Sequence, residues 1–441
     1  MFHVIGPSPL ERDMWIVYLP QAQTLVEVDA ETGEGLWLCE HYGRCEEVKS
    51  LIDYFNYLKP NSTEDIGEPE ILYIIVSGKC NLSCTYCYAT RGSYGDVQYN
   101  TIMKEDMAKK ISEIVETFPS IKTVAFFGGE PLMAYRTIMR ILKELDKVRN
   151  DLKYTINTNG TILNNEILTM LLSYKFSVTV SIDGWEAVHN MHRRILGNWD
   201  SYNLIVKNIT RLKEHNIPVS AEATYHPDLY TMGVTPYKVA LHISRLTPHI
   251  TVGLASNFPT NKFYGGNILH AIYLLGDYLN KSLLELTHDT PNYLEDAIHR
   301  FLAIITNRIY ARYRCRFYKI LSIMPNGDIY PCNLLITAKI GKLGNINSTD
   351  IKALRSSLQE ALRNLMPTIL AHKPHHQFFD ICPIPDFVYS SQDIEVTLQN
   401  IYDELLLTFY VISKNGSLSK VVENINKFRY IMQGERSVDY E

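Results

Sequence analysis

The sequence predicts an α/β protein built around a parallel sheet. Two observations carry this. Six strand-like segments, at residues 71–77, 123–127, 154–158, 177–181, 219–224 and 250–255, alternate with helix-like ones. Right-handed crossovers bend such a series toward either a barrel or a doubly wound sheet. A polar, acidic stretch bracketed by prolines, PNSTEDIGEPE at residues 60–70, sets the series apart from a small unit ahead of it. In either architecture, functional groups collect at the carboxyl ends of the strands.

In the leading unit, residues 15–18 and 23–28 read as strands joined by a Leu-Pro-Gln-Ala turn, and residues 31–41 and 46–58 read as helices around a turn at Gly43. About 60 residues is a marginal size for independent stability, so the unit is expected to pack on the rest of the chain. Within the alternating series, Ile138, Ile141, Leu142 and Leu145 keep the i, i+3, i+4, i+7 spacing of a helix face, as do Ile205, Ile209 and Leu212. Residues 265–311 read as helical. Pro325-Asn326-Gly327-Asp328 then marks a hairpin tip, because Asn-Gly readily adopts the positive φ of a tight turn. Residues 394–412 and 418–432 read as helices.

Composition removes several classes of function. Of 441 residues, 46% are hydrophobic and 21% charged, which excludes a disordered or collagen-like chain. A net charge of −5 gives no electrostatic reason to expect nucleic acid or an anionic membrane surface as a partner. The opening residues, Met-Phe-His-Val-Ile-Gly-Pro-Ser, have neither the basic nor the apolar region of a secretory signal. No apolar run approaches the ~18 residues of a membrane span. A soluble, cytoplasmic protein is the expectation.

Cysteines stand at 39, 45, 80, 84, 87, 315, 332 and 382. In a reducing compartment they are not expected to form a disulfide framework, and Cys39 and Cys45 read as ordinary small apolar residues. Cys80, Cys84 and Cys87 lie in SGKCNLSCTYCYA, directly after the first strand of the series. Three thiolates so spaced can converge on a soft metal centre, either zinc or iron–sulfur. Zinc wants four ligands and no fourth follows nearby, whereas a cubane on three cysteines leaves one iron open.

The C-x3-C-x2-C spacing, with aromatic Tyr86 before the last cysteine, resembles the radical S-adenosylmethionine (radical SAM) enzymes. Further matches fall in the family's order at successive strand ends: Phe-Phe-Gly128-Gly129-Glu130-Pro131, Asn157-Thr158-Asn159-Gly160-Thr161, and Ser181-Ile182-Asp183-Gly184 followed by His189 and Arg193. The resemblance spans about residues 71–260 and implies a partial (β/α)6, TIM-like barrel. It implies a [4Fe–4S] cluster on Cys80, Cys84 and Cys87 whose open iron chelates S-adenosylmethionine. Glu130 is then placed for the cofactor's ammonium, Ser181 and Arg193 for its carboxylate, Asn157 for a polar contact, and Tyr86, Gly128 and Gly129 for close approach. His189 reads as structural, and carboxylates such as Glu222 cannot be sorted into catalytic and structural ones.

Cys315, eleven residues, Gly327, four residues and Cys332, followed by Leu343-Gly344-Asn345-Ile346, resemble the start of the SPASM or twitch extension of peptide-modifying radical SAM enzymes. A full extension has more cysteines than this chain, so one auxiliary [4Fe–4S] cluster on Cys315, Cys332 and Cys382 is implied, its fourth ligand open among Asp380, Asp386, His375, His376 and substrate. The first 60 residues resemble the winged-helix-like peptide-recognition domains of such maturases, with a simple capping module as the alternative. The implied organisation is a small α+β domain (1–60), a radical SAM core (71–285), an auxiliary-cluster region (286–392) and C-terminal helices (393–441). The implied activity is reductive cleavage of S-adenosylmethionine to a 5′-deoxyadenosyl radical that takes hydrogen from a peptide or protein residue, with ferredoxin or flavodoxin as electron donor. Two alternatives stand beside it: a small-molecule dehydrogenase or cyclase, and a non-enzymatic iron–sulfur or zinc protein that binds a peptide.

Overall fold

A computed structural model describes residues 2–57 (except 20, 21 and 23), 68–257, 262–263, 268–302 (except 296 and 299–301), 319–370 (except 334) and 392–433. The leading unit is an antiparallel sheet of β1 (His3–Pro7), β2 (Met14–Leu19) and β3 (Thr24–Asp29), in that spatial order. It is followed by α1 (Ala30–Tyr42) and α2 (Lys49–Tyr57). The strand β1 adds to the two that the sequence predicts. Asp29 starts α1 by accepting the Thr32 N–H at 2.9 Å, and Gly43 ends it in the left-handed region at φ 69°.

That turn brings Cys45 back over the helix end, and Cys39 and Cys45 form a disulfide with their Cα atoms 4.5 Å apart. The pair is therefore not two ordinary apolar residues. The left-handed glycine between them makes a bridge six residues apart feasible.

The second sheet begins with six parallel strands: β4 (Ile71–Ser77), β5 (Thr123–Gly128), β6 (Lys153–Thr158), β7 (Ser177–Ser181), β8 (Val219–Tyr225) and β9 (His249–Leu254). Between them run α3 (Ala108–Thr117), α4 (Tyr135–Leu145), α5 (Asn165–Ser173), α6 (Glu186–His192), α7 (Tyr202–Glu214) and α8 (Pro236–Ile243). Alternate strand residues such as Ile74, Phe126, Ile156, Val178 and Ala221 are buried. The residues between them, including Tyr73, Phe127, Asn157, Ser181 and Thr224, are half-buried, and Glu222 is exposed. A parallel sheet with helices on both sides would bury both sets. One buried face and one polar, half-open face is the pattern of a partial barrel with an accessible interior.

A short hairpin, β10 (Ser256–Asn257) with β11 (Lys262–Phe263), and α9 (Ile268–Glu285) come next. The predicted helix over 265–311 is broken: β12 (Leu294–Glu295) follows Thr-Pro-Asn and pairs in parallel with β9. At the other edge, β13 (Ile320–Ile323) runs parallel to β4, and the Asn326-Gly327 turn returns it as antiparallel β14 (Asp328–Tyr330). Then come α10 (Leu335–Ala338), β15 (Gly344–Asn345) beside β14, and α11 (Leu354–Leu370).

The last helices are α12 (Gln392–Lys414) and α13 (Leu418–Gln433). Helix α12 crosses α9 at Gly276, where a Cβ would lie 2.6 Å from Ile401. Its other face covers the N-terminal sheet. His3 bonds Asp403 at 2.8 Å, Lys414 bonds Glu27 at 2.8 Å, and Tyr18 meets Tyr402 edge-on. The leading unit is thus covered by the end of the chain. Among the described residues no helix is long and apolar enough to cross a membrane.

Candidate functional site

Strands β4 to β8 deliver their carboxyl ends to one place. Beyond β4 the chain forms the cysteine loop, and β5 ends in two glycines that press against it. Gly128 has φ 143°, and a Cβ there would lie 2.2 Å from the Ser77 oxygen. A Cβ on Gly129 would lie 2.5 Å from the backbone oxygens of Lys79 and Arg91. The Gly129 N–H donates to the Ser77 carbonyl at 2.8 Å and the Glu130 N–H to the Lys79 carbonyl at 2.9 Å. The close approach that these glycines permit is to the backbone of the cysteine loop.

The three thiols are half-buried and unpaired. Sulfur of Cys80 accepts the Leu82 N–H at 3.4 Å and faces the Asn159 amide at 3.7 Å, while that of Cys87 accepts the Arg91 N–H at 3.2 Å. Burial pushes the Cys80 thiol up to about 12, and raises Cys84 against the opposing Arg193 guanidinium. Such thiols ionise when a bound cation compensates the charge, and the donors around them then stabilise thiolates. Among the described residues no three His, Cys, Asp or Glu converge closely enough for one metal ion. Cysteines holding a cluster stand farther apart, each on its own iron. Soft donors with N–H groups aimed at them therefore fit an iron–sulfur cluster.

Glu130 is fully buried beside this loop. Its carboxylate accepts the Leu132 N–H at 3.0 Å, the Thr158 hydroxyl at 2.7 Å and the Asn159 N–H at 2.7 Å. Burial, opposed by these hydrogen bonds, pushes its pKa up to about 7. The residue that links β6 to the loop is Asn159, two positions past the expected Asn157. Its amide reaches Cys80 and the Asn81 side chain (2.9 Å), and its oxygen accepts from the Thr161 N–H and hydroxyl. Asn157 instead faces Glu222 across the open side of the sheet at 3.5 Å, and Ser181 lies opposite Glu222 in the β7–β8 register.

Asp183 organises the far wall. One oxygen accepts the Thr224 N–H at 2.8 Å; the other accepts the Tyr86 hydroxyl and the Arg193 Nε–H, the latter at 2.9 Å. Arg193 lies over the Tyr86 ring with its guanidinium carbon 5.3 Å from the centroid. This brings Tyr86, Arg193 and Cys84 together. Sequence reasoning placed Asp183 within a motif without assigning it a role. His189 is structural: Nδ1 accepts the Asp183 N–H at 3.2 Å, Nε2 lies 2.9 Å from the Ser201 hydroxyl, and burial lowers its pKa to about 4.

In the extension, Cys332 is buried just beyond β14, and its thiol donates to the Asn333 side-chain oxygen at 3.6 Å. Cys315 and Cys382, with Asp380, Asp386, His375 and His376, lie outside the described residues.

Residues 74–230 match the Radical SAM superfamily. The radical SAM cyclopropyl synthase TigE of Paramaledivibacter caminithermalis is 29% identical over 185 residues, covering 38% of this chain and 38% of that protein. The match therefore spans well under two thirds of that relative's length. The cysteine-type anaerobic sulfatase-maturating enzyme of Clostridium perfringens is 24% identical over 308 residues, covering 63% of this chain and 77% of the relative. Among solved structures, anSMEcpe with bound AdoMet and the Kp18Cys peptide aligns with a TM-score of 0.62 at 17% identity, covering 79% of this chain and 99% of that one, which shows a shared fold. The cysteine loop and the Gly-Gly-Glu strand end both lie within residues 74–230, the segment of this chain that matches the Radical SAM superfamily.

Proposed function

We propose that the chain is a peptide- or protein-modifying radical SAM enzyme that removes hydrogen from a residue of its substrate, giving an oxidative product such as a crosslink or a dehydrogenated residue. The observation that carries this reading is the convergence of Cys80, Cys84 and Cys87 with Glu130, Asn159 and the Asp183–Arg193 pair. Cys80, Cys84 and Cys87 would hold a [4Fe–4S] cluster, whose role when reduced is to cleave S-adenosylmethionine and supply a 5′-deoxyadenosyl radical. Arg193, fixed by Asp183, offers its charge to the cofactor's carboxylate. Glu130 offers a carboxylate beside Cys80, and Ser181, Asn157 and Glu222 line the open face where ribose hydroxyls and substrate would lie. The relatives named as sulfatase-maturating enzymes support a protein over a small molecule as substrate. Cys332 is proposed as one ligand of an auxiliary [4Fe–4S] cluster with Cys315 and Cys382.

The N-terminal unit is proposed to dock the substrate peptide as an added strand along β3, one of the two edge strands of its sheet. A cavity of about 260 Å3 opens between β3 and α12, lined by residues including Leu25, Glu27, Phe409 and Lys414.

Anaerobic incubation with S-adenosylmethionine, dithionite and a cognate precursor peptide tests the function. Formation of 5′-deoxyadenosine with loss of two hydrogens from the peptide supports it. Formation of 5′-deoxyadenosine with only a small molecule altered would favour the alternative chemistry.

A further inference from the structure

The six parallel strands β4 to β9 contain a single acidic residue, Glu222. It stands in β8, between β7 and β9, yet its side chain is exposed. A charge in the middle of a sheet keeps its water only where that face opens into a cavity. The wall around Glu222 is polar and uncharged. Thr179 and Ser220 share a hydrogen bond at 2.9 Å one layer down, and the Asn157 amide faces the carboxylate at 3.5 Å. The wall formed by β4 and β5 is aromatic. Tyr73 and Phe127 turn to the same face and meet edge to face, with ring centroids 6.1 Å apart. Tyr88 comes from the cysteine loop and lies within electrostatic reach of both Glu222 and Tyr73. With Tyr73 and Cys87 it packs on one apolar cluster around Ile75. A carboxylate set across from aromatic faces has the chemistry of a site for an organic cation.

Resting on the function proposed above, we infer that Glu222, with Tyr73, Tyr88 and Phe127, receives the cationic side chain of a lysine or arginine in the substrate peptide. The aromatic wall suits the alkyl stem, and the carboxylate accepts from the N–H donors at its tip. An acidic residue is turned away, because like charges repel strongly where water is scarce. Tyr88 adjoins Cys87, so a side chain held here lies beside the thiols that carry the proposed radical chemistry. Binding of the cation fixes which stretch of the peptide reaches that centre; no bond forms or breaks.

The probes are acetylated tripeptide amides with lysine, arginine, norleucine or glutamate between two glycines. Each is titrated against the reconstituted full chain with S-adenosylmethionine and no reductant, so that binding alone is read. The lysine and arginine peptides should bind at least about tenfold more tightly than the norleucine peptide, whose stem is the same but uncharged. The glutamate peptide should bind most weakly. Glu222→Gln should abolish the preference for a cation and leave norleucine affinity at the wild-type value, whereas Glu222→Asp, which keeps the charge, should keep the preference. Equal affinities in the wild type, or a preference that survives Glu222→Gln, would overturn the inference. So would a Glu222→Gln protein that loses affinity for S-adenosylmethionine alone, which would assign the carboxylate to the cofactor. A wild type that makes no 5′-deoxyadenosine with dithionite would instead overturn the proposed function, while peptide preference is scored independently.

Discussion

Asp183 holds three donors from three segments on two oxygens, and it faces a guanidinium that is itself buried. Removing one partner of such a pair leaves the other charge stranded. Asp183→Ala should therefore cost about 3–5 kcal/mol of stability, measured by chemical denaturation. A near-neutral result would mean that Arg193 finds water or another acceptor. Glu130→Ala likewise strands the donors Leu132 N–H, Thr158 Oγ1–H and Asn159 N–H, and should cost at least about 2 kcal/mol. A solvated strand-end carboxylate would cost nothing in the same measurement. The cysteines and Glu130 were legible in the sequence because local spacing and a strand end define them. Asn159 was not distinguishable from Asn157: strand alternation turns Asn157 to the open face, and only the chain's path beyond β6 carries Asn159 to Cys80. The role of Asp183 was hidden because its partners Tyr86 and Thr224 come from distant segments.

At the scale of elements, the contact between β1 and α12 includes a histidine, His3, held by Asp403. Burial disfavours a charge on His3, but hydrogen bonds and attraction to Asp403 and Glu40 outweigh it and raise the pKa from 6.5 to about 9. A raised folded-state pKa stabilises fully below pH 6.5, and that contribution is lost as pH rises through about 9. Hydrogen exchange of β1 amides should accelerate across that interval, and His3→Gln should remove the dependence. An unchanged pH profile in His3→Gln would mean that this contact does not hold the strand. The six strands from β4 to β9 were readable because each is a short run with apolar residues at every second position, set between helical periods. Strands β1 and β12 were not: β1 contains Gly6 and Pro7, both turn-formers, and β12 has only two residues. The Cys39–Cys45 bridge needs the left-handed turn at Gly43, which residue type alone does not reveal.

Across the whole molecule, the N-terminal sheet and the helices α12 and α13 are tied into one packing arrangement. The N-terminal sheet packs on α12, α12 packs on α9, and Asn424 of α13 donates to the carbonyls of Leu286 and His288 at 2.9 Å each. A peptide docked on β3 would therefore lie against the same helix that braces the sheet's far edge. Val26→Pro should weaken precursor-peptide binding without changing peptide-independent cleavage of S-adenosylmethionine; unchanged binding would place the peptide elsewhere. The auxiliary site is tested by iron content. With Cys80, Cys84 and Cys87 all changed to Ala, about four irons per chain should be retained if the extension carries its own cluster. An iron-free protein would leave Cys332 a buried core thiol.

If the cysteine loop, and no other part of the chain, supports the radical chemistry, its three thiols must be indispensable to it. The decisive comparison gives S-adenosylmethionine and dithionite to anaerobically reconstituted wild type and to the triple variant with Cys80, Cys84 and Cys87 changed to Ala. 5′-Deoxyadenosine should accumulate with the wild type and be absent with the variant. Accumulation by the variant, or none with the wild type, would contradict the assignment.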